Sequence, residues 1–417
     1  MTRRRGSIIF SYLVIMVFLA LGAAIILRGA NEAKVTQRHS NSTQAFWTGE
    51  AGIQKGLWDY KNNSCQGFVQ SGTATACTSC TNCGGGNKTM AGTISNSGDY
   101  DVTINSANTT MSAVGSYPSR TSTSKITRSV QVTLATPPLF GYGAFAQGAV
   151  NLDNNVEIDS YNSTLNGGVY DLTNNRALTG DVGTNGTTAG IIHLDNNAKI
   201  YGAGSTAAGG TVTLDNGASV SGGTSATNSV TLSPVDVPDD LESLTGGTPY
   251  ATAKNGSATL PQGNYKYTSL TLTQGSTLTV TGNVNVYLTS SPALTTGNNA
   301  ILAIDNGASI TIYTDGTVTF DNNSVINNNS LDPSKFIIYS AYTGNDGVHF
   351  SNNGSVYGAI YAPQTDVDVE NNGAFFGAVV GETIDFANNV KLHYDENLNN
   401  LANPFSTSVT LSSWQEI

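Results

Sequence analysis

Charge is what this chain lacks most. Only 11% of its 417 residues are Asp, Glu, Lys or Arg, well under the share of about 25% in an ordinary globular domain. The formal net charge is −11, and no basic stripe follows Arg3, Arg4 and Arg5. Nothing here attracts a phosphate backbone, so nucleic acid is excluded as a partner. Proline is scarce at 11 residues, the first being Pro118, so no ring interrupts a helix before that point. Cysteine is confined to one window, Cys65, Cys77, Cys80 and Cys83. The even count suits an oxidising compartment.

In place of ions the chain carries hydroxyls, amides and 46 glycines. Disorder is excluded as well, because 39% of the residues are hydrophobic and much of that content alternates.

MTRRRG precedes SIIFSYLVIMVFLALGAAIIL, and no charge falls between Ile8 and Leu27. Twenty helical residues reach roughly 30 Å, the hydrocarbon thickness of a bilayer. The flanking arginines keep that end cytoplasmic. A cleaved secretory signal is the alternative, but the apolar run is long and no small-residue cleavage site follows it. Val35, Phe46, Ile53 and Leu57 share one helical stripe. The expectation is one helix from Ser7 to Tyr60, lipid-embedded in its first half and amphipathic in its second.

These residues carry a resemblance. A short basic leader ending in Gly6, an apolar helix and the segment AFWTGEAGIQKGLWDY look like a type IV pilin, in particular the minor pilins of the PilX type. The likeness spans about sixty residues and fades toward residue 135. It implies a leader over 1–6, cut by a prepilin peptidase after Gly6 so that Ser7 becomes the N-terminus. It also implies other pilin subunits and the assembly machinery as partners. Location would be the inner membrane as a single-pass protein, then the pilus or cell surface. One residue departs from the pattern. Ser11 stands at the fifth mature position, where major pilins carry a glutamate. A buried carboxylate needs a partner, so its absence favours a minor or tip subunit. An ordinary membrane anchor is the other reading.

Residues 61–136 read as a cysteine-rich loop followed by a small antiparallel sheet formed from DYDVTINS, MSAVGSY and ITRSVQVTLA. The four cysteines are disulfide candidates with no assigned pairing. Zinc binding and redox cycling are the alternatives for Cys-x-x-Cys-x-x-Cys. Pro137-Pro138 marks a boundary.

From Leu139 a pattern recurs: LDNNVEIDS, LDNNAKIYG, LDNGASVSG, IDNGASITI, FANNVKLHY. Asn-Asn, Asn-Gly and Asp-Gly accept left-handed backbone and turn the chain sharply. Repeat starts such as Leu194 and Leu214, or Val369 and Phe386, lie 17 to 20 residues apart, a loose period that suits stacked coils. The expected fold is a parallel β-helix or solenoid over 139–398. Amides would stack over amides, and Leu152, Leu194, Leu214 and Ile304 would form one apolar ladder. An antiparallel meander with the same dipeptides at hairpin tips is the alternative. YGAIYAP and FGAVVGE are near-copies one coil apart. The N-N-G-x-x-x-G-A signature over Ser269–Tyr394 resembles a β-helical extension of pilin-like surface proteins whose function is uncharacterised. SPVDVPDDLESLTGGTPY reads as an excursion loop, and residues 399–417 as a tail that caps the last coil.

Chemistry is thinly represented. Between Leu139 and Glu396 there is one arginine, Arg176, and His193, His349 and His393 are scattered without an evident acid partner. No catalytic residue and no cofactor is expected, and the chain is read as a non-enzyme. Asp366, Asp368 and Glu370 fall on one face of a strand and are weak candidates for Ca²⁺, which needs six to eight oxygens. The expected function is a minor pilin-like subunit displaying a β-helix for adhesion to carbohydrate or another surface. The alternatives are an envelope-tethered carbohydrate-active enzyme and a structural or priming pseudopilin of a pilus or type II secretion system.

Overall fold

The computed structural model describes residues 4–62, 65–71, 76–77, 87–105, 110–135, 138–227, 229–320, 323–351, 355–370, 374–401, 403–405 and 410–416. They divide into two compact units. Unit 1 takes Met1–Pro137 with Thr407–Ile417, and unit 2 takes Pro138–Ser406. The molecule is mostly β, with one long N-terminal helix.

In unit 1 the helix runs over Arg4–Asn62 without a break, about 90 Å at 1.5 Å per residue. Phe10, Leu13, Met16, Phe18, Leu21, Ile25 and Leu27 are all exposed along its first half. From Ala45 onward one face is buried, through Ile53, Leu57 and Tyr60. Val35 was expected on that stripe but is exposed, since the sheet covers only the later turns. Close approach explains the glycines of TGEAGIQKG. A Cβ on Gly115 would lie 1.9 Å from the Ala45 carbonyl oxygen and 2.4 Å from the Gly49 nitrogen. Helix and strand therefore touch backbone to backbone.

The sheet under the helix has six antiparallel strands: Val69–Gln70, Lys88–Ile94, Gly98–Ile104, Thr110–Tyr117, Ile126–Ala135 and Thr410–Glu416. Three of them were expected. The sixth corrects the reading of the C-terminal tail as a cap, because Thr410–Glu416 pairs antiparallel with Ile126–Ala135. In chain order, unit 2 is thus an insertion between two hydrogen-bonded neighbours of this sheet.

Apart from one short antiparallel pair, Glu157–Tyr161 with Arg176–Ala177, unit 2 is built of parallel strands, which excludes the hairpin meander. Its ten-stranded sheet has the order Val212–Leu214, Ile192–Leu194, Val150–Leu152, Ile384–Phe386, Val367–Val369, Val348–Phe350, Val318–Phe320, Leu294–Thr296, Leu270–Leu272, Tyr250–Ala251. A second, larger sheet and a four-stranded one receive the remaining strands of each repeat. Like lies over like in register. Phe320, Phe350, Val369, Phe386, Leu152, Leu194 and Leu214 form one column. Ile304 does not join it. It pairs with Val280 in the four-stranded sheet, so one member of the expected ladder sits on a different side of the repeat. Asn155, Asn197 and Asn389 have φ of 60°, 60° and 68°, the left-handed turn that the dipeptides demand. The amides just before them stack: Asn196 Nδ2 donates to Asn154 Oδ1 at 2.9 Å, and Asn154 Nδ2 to Asn388 Oδ1 at 2.8 Å.

Chain order and spatial order disagree. Val150–Leu152 lies in the middle of the stack, between Ile192–Leu194 and Ile384–Phe386. From there the chain builds outward to Val212–Leu214 and then starts again at the opposite edge with Tyr250–Ala251. It works back until Ile384–Phe386 closes on the first repeat. The excursion SPVDVPDDLESLTGGTPY makes that crossing. Its Val235, Val237 and Leu241, with Leu232 just before it, pack on a cluster with Tyr287, Tyr313, Tyr339 and Tyr361, which are consecutive in register. Tyr361 also donates its hydroxyl to the Ser233 carbonyl at 2.6 Å. Both ends of the unit reach the same ring, with Phe140 and Phe405 at 6.3 and 5.5 Å from Tyr361.

Candidate functional site

Alternation along each three-residue strand sends the outer residues into the core and the middle one outward. In the ten-stranded sheet this aligns Thr271, Thr295, Thr319, His349, Asp368, Asp385, Asn151, His193 and Thr213 as one outward column. Hydroxyls occupy one end and return at Thr213 on the other. Imidazoles and carboxylates lie between, with Asn151 Nδ2 donating to Asp385 Oδ1 at 2.6 Å.

Beside that column stand the aspartates of the recurring turns. The Asp195 N–H donates to the Leu152 carbonyl and the Asp215 N–H to the Leu194 carbonyl, at 2.8 and 2.9 Å, which brings Asp153, Asp195 and Asp215 into line. His193 lies among them, with Nδ1 3.6 Å from Asp195 Oδ1 and Nε2 3.5 Å from Asp215 Oδ1. His349 is placed similarly, 3.9 Å from each of Asp368 and Glu370. Burial and the neighbouring Asp195 and Asp385 push the Asp153 carboxyl up, with His193 opposing. Asp368 is raised by burial and by Asp385, with His349 again opposing.

The three calcium candidates lie along one short strand and its two ends. Asp366, Asp368 and Glu370 do flank the buried Val367 and Val369. However, Asp366 is engaged elsewhere, accepting from the Thr383 hydroxyl at 2.6 Å, while Asp368 and Glu370 face His349. Among the described residues one group brings three ligand atoms within 4.8 Å of one another, and it is His193, Asp195 and Asp215. Reading the histidines as lacking acid partners is corrected here. The signal was present in the repeats, because aligning IHLDNN with VTLDNG sets His193 beside both aspartates.

A second His–acid grouping is closed to solvent. Asp159, with a side chain only 5% exposed, accepts from Arg176 Nε at 2.7 Å and the Tyr170 hydroxyl at 2.6 Å, and meets His393 Nδ1 at 2.5 Å. Tyr170 stacks on His393 at 3.8 Å. Burial and the Asp159 carboxylate push the Tyr170 hydroxyl well above its usual range. The lone arginine is therefore a clamp that ties the 162–181 segment to the sheet. With three polar partners and little exposure, Asp159 acts as a structural hub of this segment.

Gly6, Ser7 and Ser11 all lie within the N-terminal helix. Cys65 and Cys77 are buried, and no described cysteine is free. Cys80 and Cys83 lie outside the described residues.

Comparison with known proteins adds two findings. Residues 237–401 match the family described as a domain of unknown function, DUF7305. The crystal structure of the competence-associated pilin ComZ from Thermus thermophilus is similar at 12% identity, over 90% of this chain and 97% of that one, with a TM-score of 0.25. No curated protein matches.

Proposed function

We propose that this chain is a minor pilin-like subunit, held in the inner membrane by its N-terminal helix before assembly and displayed on a filament or cell surface afterwards. The observation that carries this reading is the division of one unbroken helix. Its first half exposes a continuous apolar surface, and its last turns dock on an antiparallel sheet through Gly49 and its neighbours. An apolar helix of that length is stable in water only when lipid or other helices cover it. Other pilin subunits supply such cover in a filament, and Ser11 leaves no carboxylate to be paired there. Prepilin processing after Gly6 is the expected maturation step.

We read unit 2 as a parallel β-helix, supported by in-register columns and by amide stacking at the corners. Its role is binding rather than catalysis. The outward column of Thr, Asn, Asp and His offers many modest hydrogen-bonding groups in a flat row, which suits adhesion to a carbohydrate or another polar surface. Mass spectrometry of the mature N-terminus tests the pilin reading. Ser7 as first residue supports it, and a cut near Ala30 would falsify it in favour of simple secretion. Replacing residues 139–406 with a short linker, which leaves both partner strands of unit 1, tests the adhesion reading. Filaments that persist but no longer attach support it, whereas unchanged attachment removes it.

A further inference from the structure

We propose that His193, Asp195 and Asp215 form a binding site for a divalent transition-metal ion of the zinc class. Three features of the stack lead there. The donor atoms already lie within 4.8 Å of one another, on one strand and in the turns that follow it and its in-register neighbour, so small rotations of exposed side chains bring them onto one centre about 2 Å from each. The donor set is mixed. One imidazole with two carboxylates suits zinc and its neighbours, whereas calcium and magnesium prefer oxygen alone.

The third feature is electrostatic. Asp153, Asp195 and Asp215 stack at the strand spacing of about 4.8 Å, and among the described residues the ion pairs of the last two are with His193. Like charges held in register repel one another. A divalent ion between His193 and the two carboxylates offsets this charge. The three side chains are 38, 31 and 46% exposed, so an ion enters directly and keeps its remaining positions open to water or to a donor on another surface. The His349 group provides the contrast. Its ring nitrogens are 3.9 Å from Asp368 and Glu370, and its donors do not converge.

The test uses the full-length protein in detergent, stripped with chelator and dialysed against micromolar zinc at pH 7.5, with bound metal measured by mass spectrometry. One zinc per chain is expected, with a nitrogen-and-oxygen shell by X-ray absorption. Affinity should fall about 100-fold in His193→Gln, at the upper end of what losing even an outer partner costs. It should also fall in Asp215→Asn, while His349→Gln is unchanged. No bound zinc in the wild type, undiminished binding in both His193→Gln and Asp215→Asn, or sulfur in the metal shell would overturn the assignment. It stands whether or not the chain enters a filament.

Discussion

The two units of this molecule take their register from different sources. In unit 1, Lys88–Ile94, Gly98–Ile104, Thr110–Tyr117 and Ile126–Ala135 pair with their neighbours in sequence, so short connections set which residues face each other. One face is buried on the helix, and polar and apolar residues alternate. In unit 2 every partner is a repeat away or more. Asn154 and Asn388, 234 residues apart, stack as readily as Asn154 and Asn196, 42 apart. Register there comes from chemical identity, apolar over apolar and amide over amide. A stack of this kind does not require its layers to follow chain order, which is how the first repeat comes to lie in the middle.

Spectroscopy can separate the two units, because Trp47, Trp58 and Trp414 all belong to unit 1, whereas unit 2 has no tryptophan and carries every one of the 18 tyrosines except Tyr12, Tyr60, Tyr100 and Tyr117. The largest effects should come from the glycines at backbone contacts. Gly115→Val forces a side chain onto the Ala45 carbonyl and should cost about 3 kcal/mol or more, seen as an earlier tryptophan unfolding transition. Gly377→Ala places a Cβ 1.8 Å from the Gly358 carbonyl oxygen at a φ of 143°, and should act on the tyrosine signal instead. Gly22→Ala, with nothing within 4 Å, should move neither. If each glycine variant shifts both signals equally, the two units do not unfold separately.

Truncating the apolar column comes next. Phe350 stacks on Phe320 at 4.9 Å and is fully buried, so Phe350→Ala should cost about 3–5 kcal/mol in unit 2 by urea titration. The amide corners matter less per residue. Asn388→Ala should lose about 1 kcal/mol with its hydrogen bond. Asn389→Ala should lose more, since its φ of 68° costs an L-residue with a simple side chain about 1 kcal/mol further. Equal losses at the two positions would show that stacking, not backbone angle, dominates the corner.

The smallest contrast is in pH. In unit 1 the Asp99 carboxyl is held below its ordinary value of 3.8, first by the Thr93 hydroxyl and then by the Arg120 N–H. Its contribution is present above that value and lost as pH falls through the folded-state one. In unit 2, Asp153 and Asp368 are raised above 3.8 by burial and like charge. Their folded forms bind the proton more tightly, so stability is greatest below the ordinary value and declines as pH rises through the raised one. Urea midpoints between pH 7 and pH 4 should therefore rise in the tyrosine signal and not in the tryptophan signal. Asp368→Asn should flatten the rise.

Much of this was written in local pattern. The uncharged run from Ile8 to Leu27 specified an apolar helix. The strand alternation in SVQVTL specified one buried face, and Asn-Asn and Asn-Gly specified left-handed corners, because each depends on residues within a few positions of each other. Tyr357–Ala362 over Phe376–Gly381 was legible too, since a near-copy stacks best on its copy. Other features had no local signature. The exposure of Val35 depends on where a distant sheet ends. Ile304 left its expected column because some repeats have three strands and others two. Thr410–Glu416 returned to the first sheet across the whole of unit 2.

Sequence alone determined the types of element, the turn geometry and the preference of each repeat to lie on its like, all matters of backbone sterics and of which side chains tolerate one another's company. Only the tertiary structure decided the order of the layers, the return of the last strand and the meeting of His393 with Asp159. Parallel stacking makes neighbours of residues whose separation along the chain carries no information about their distance in space.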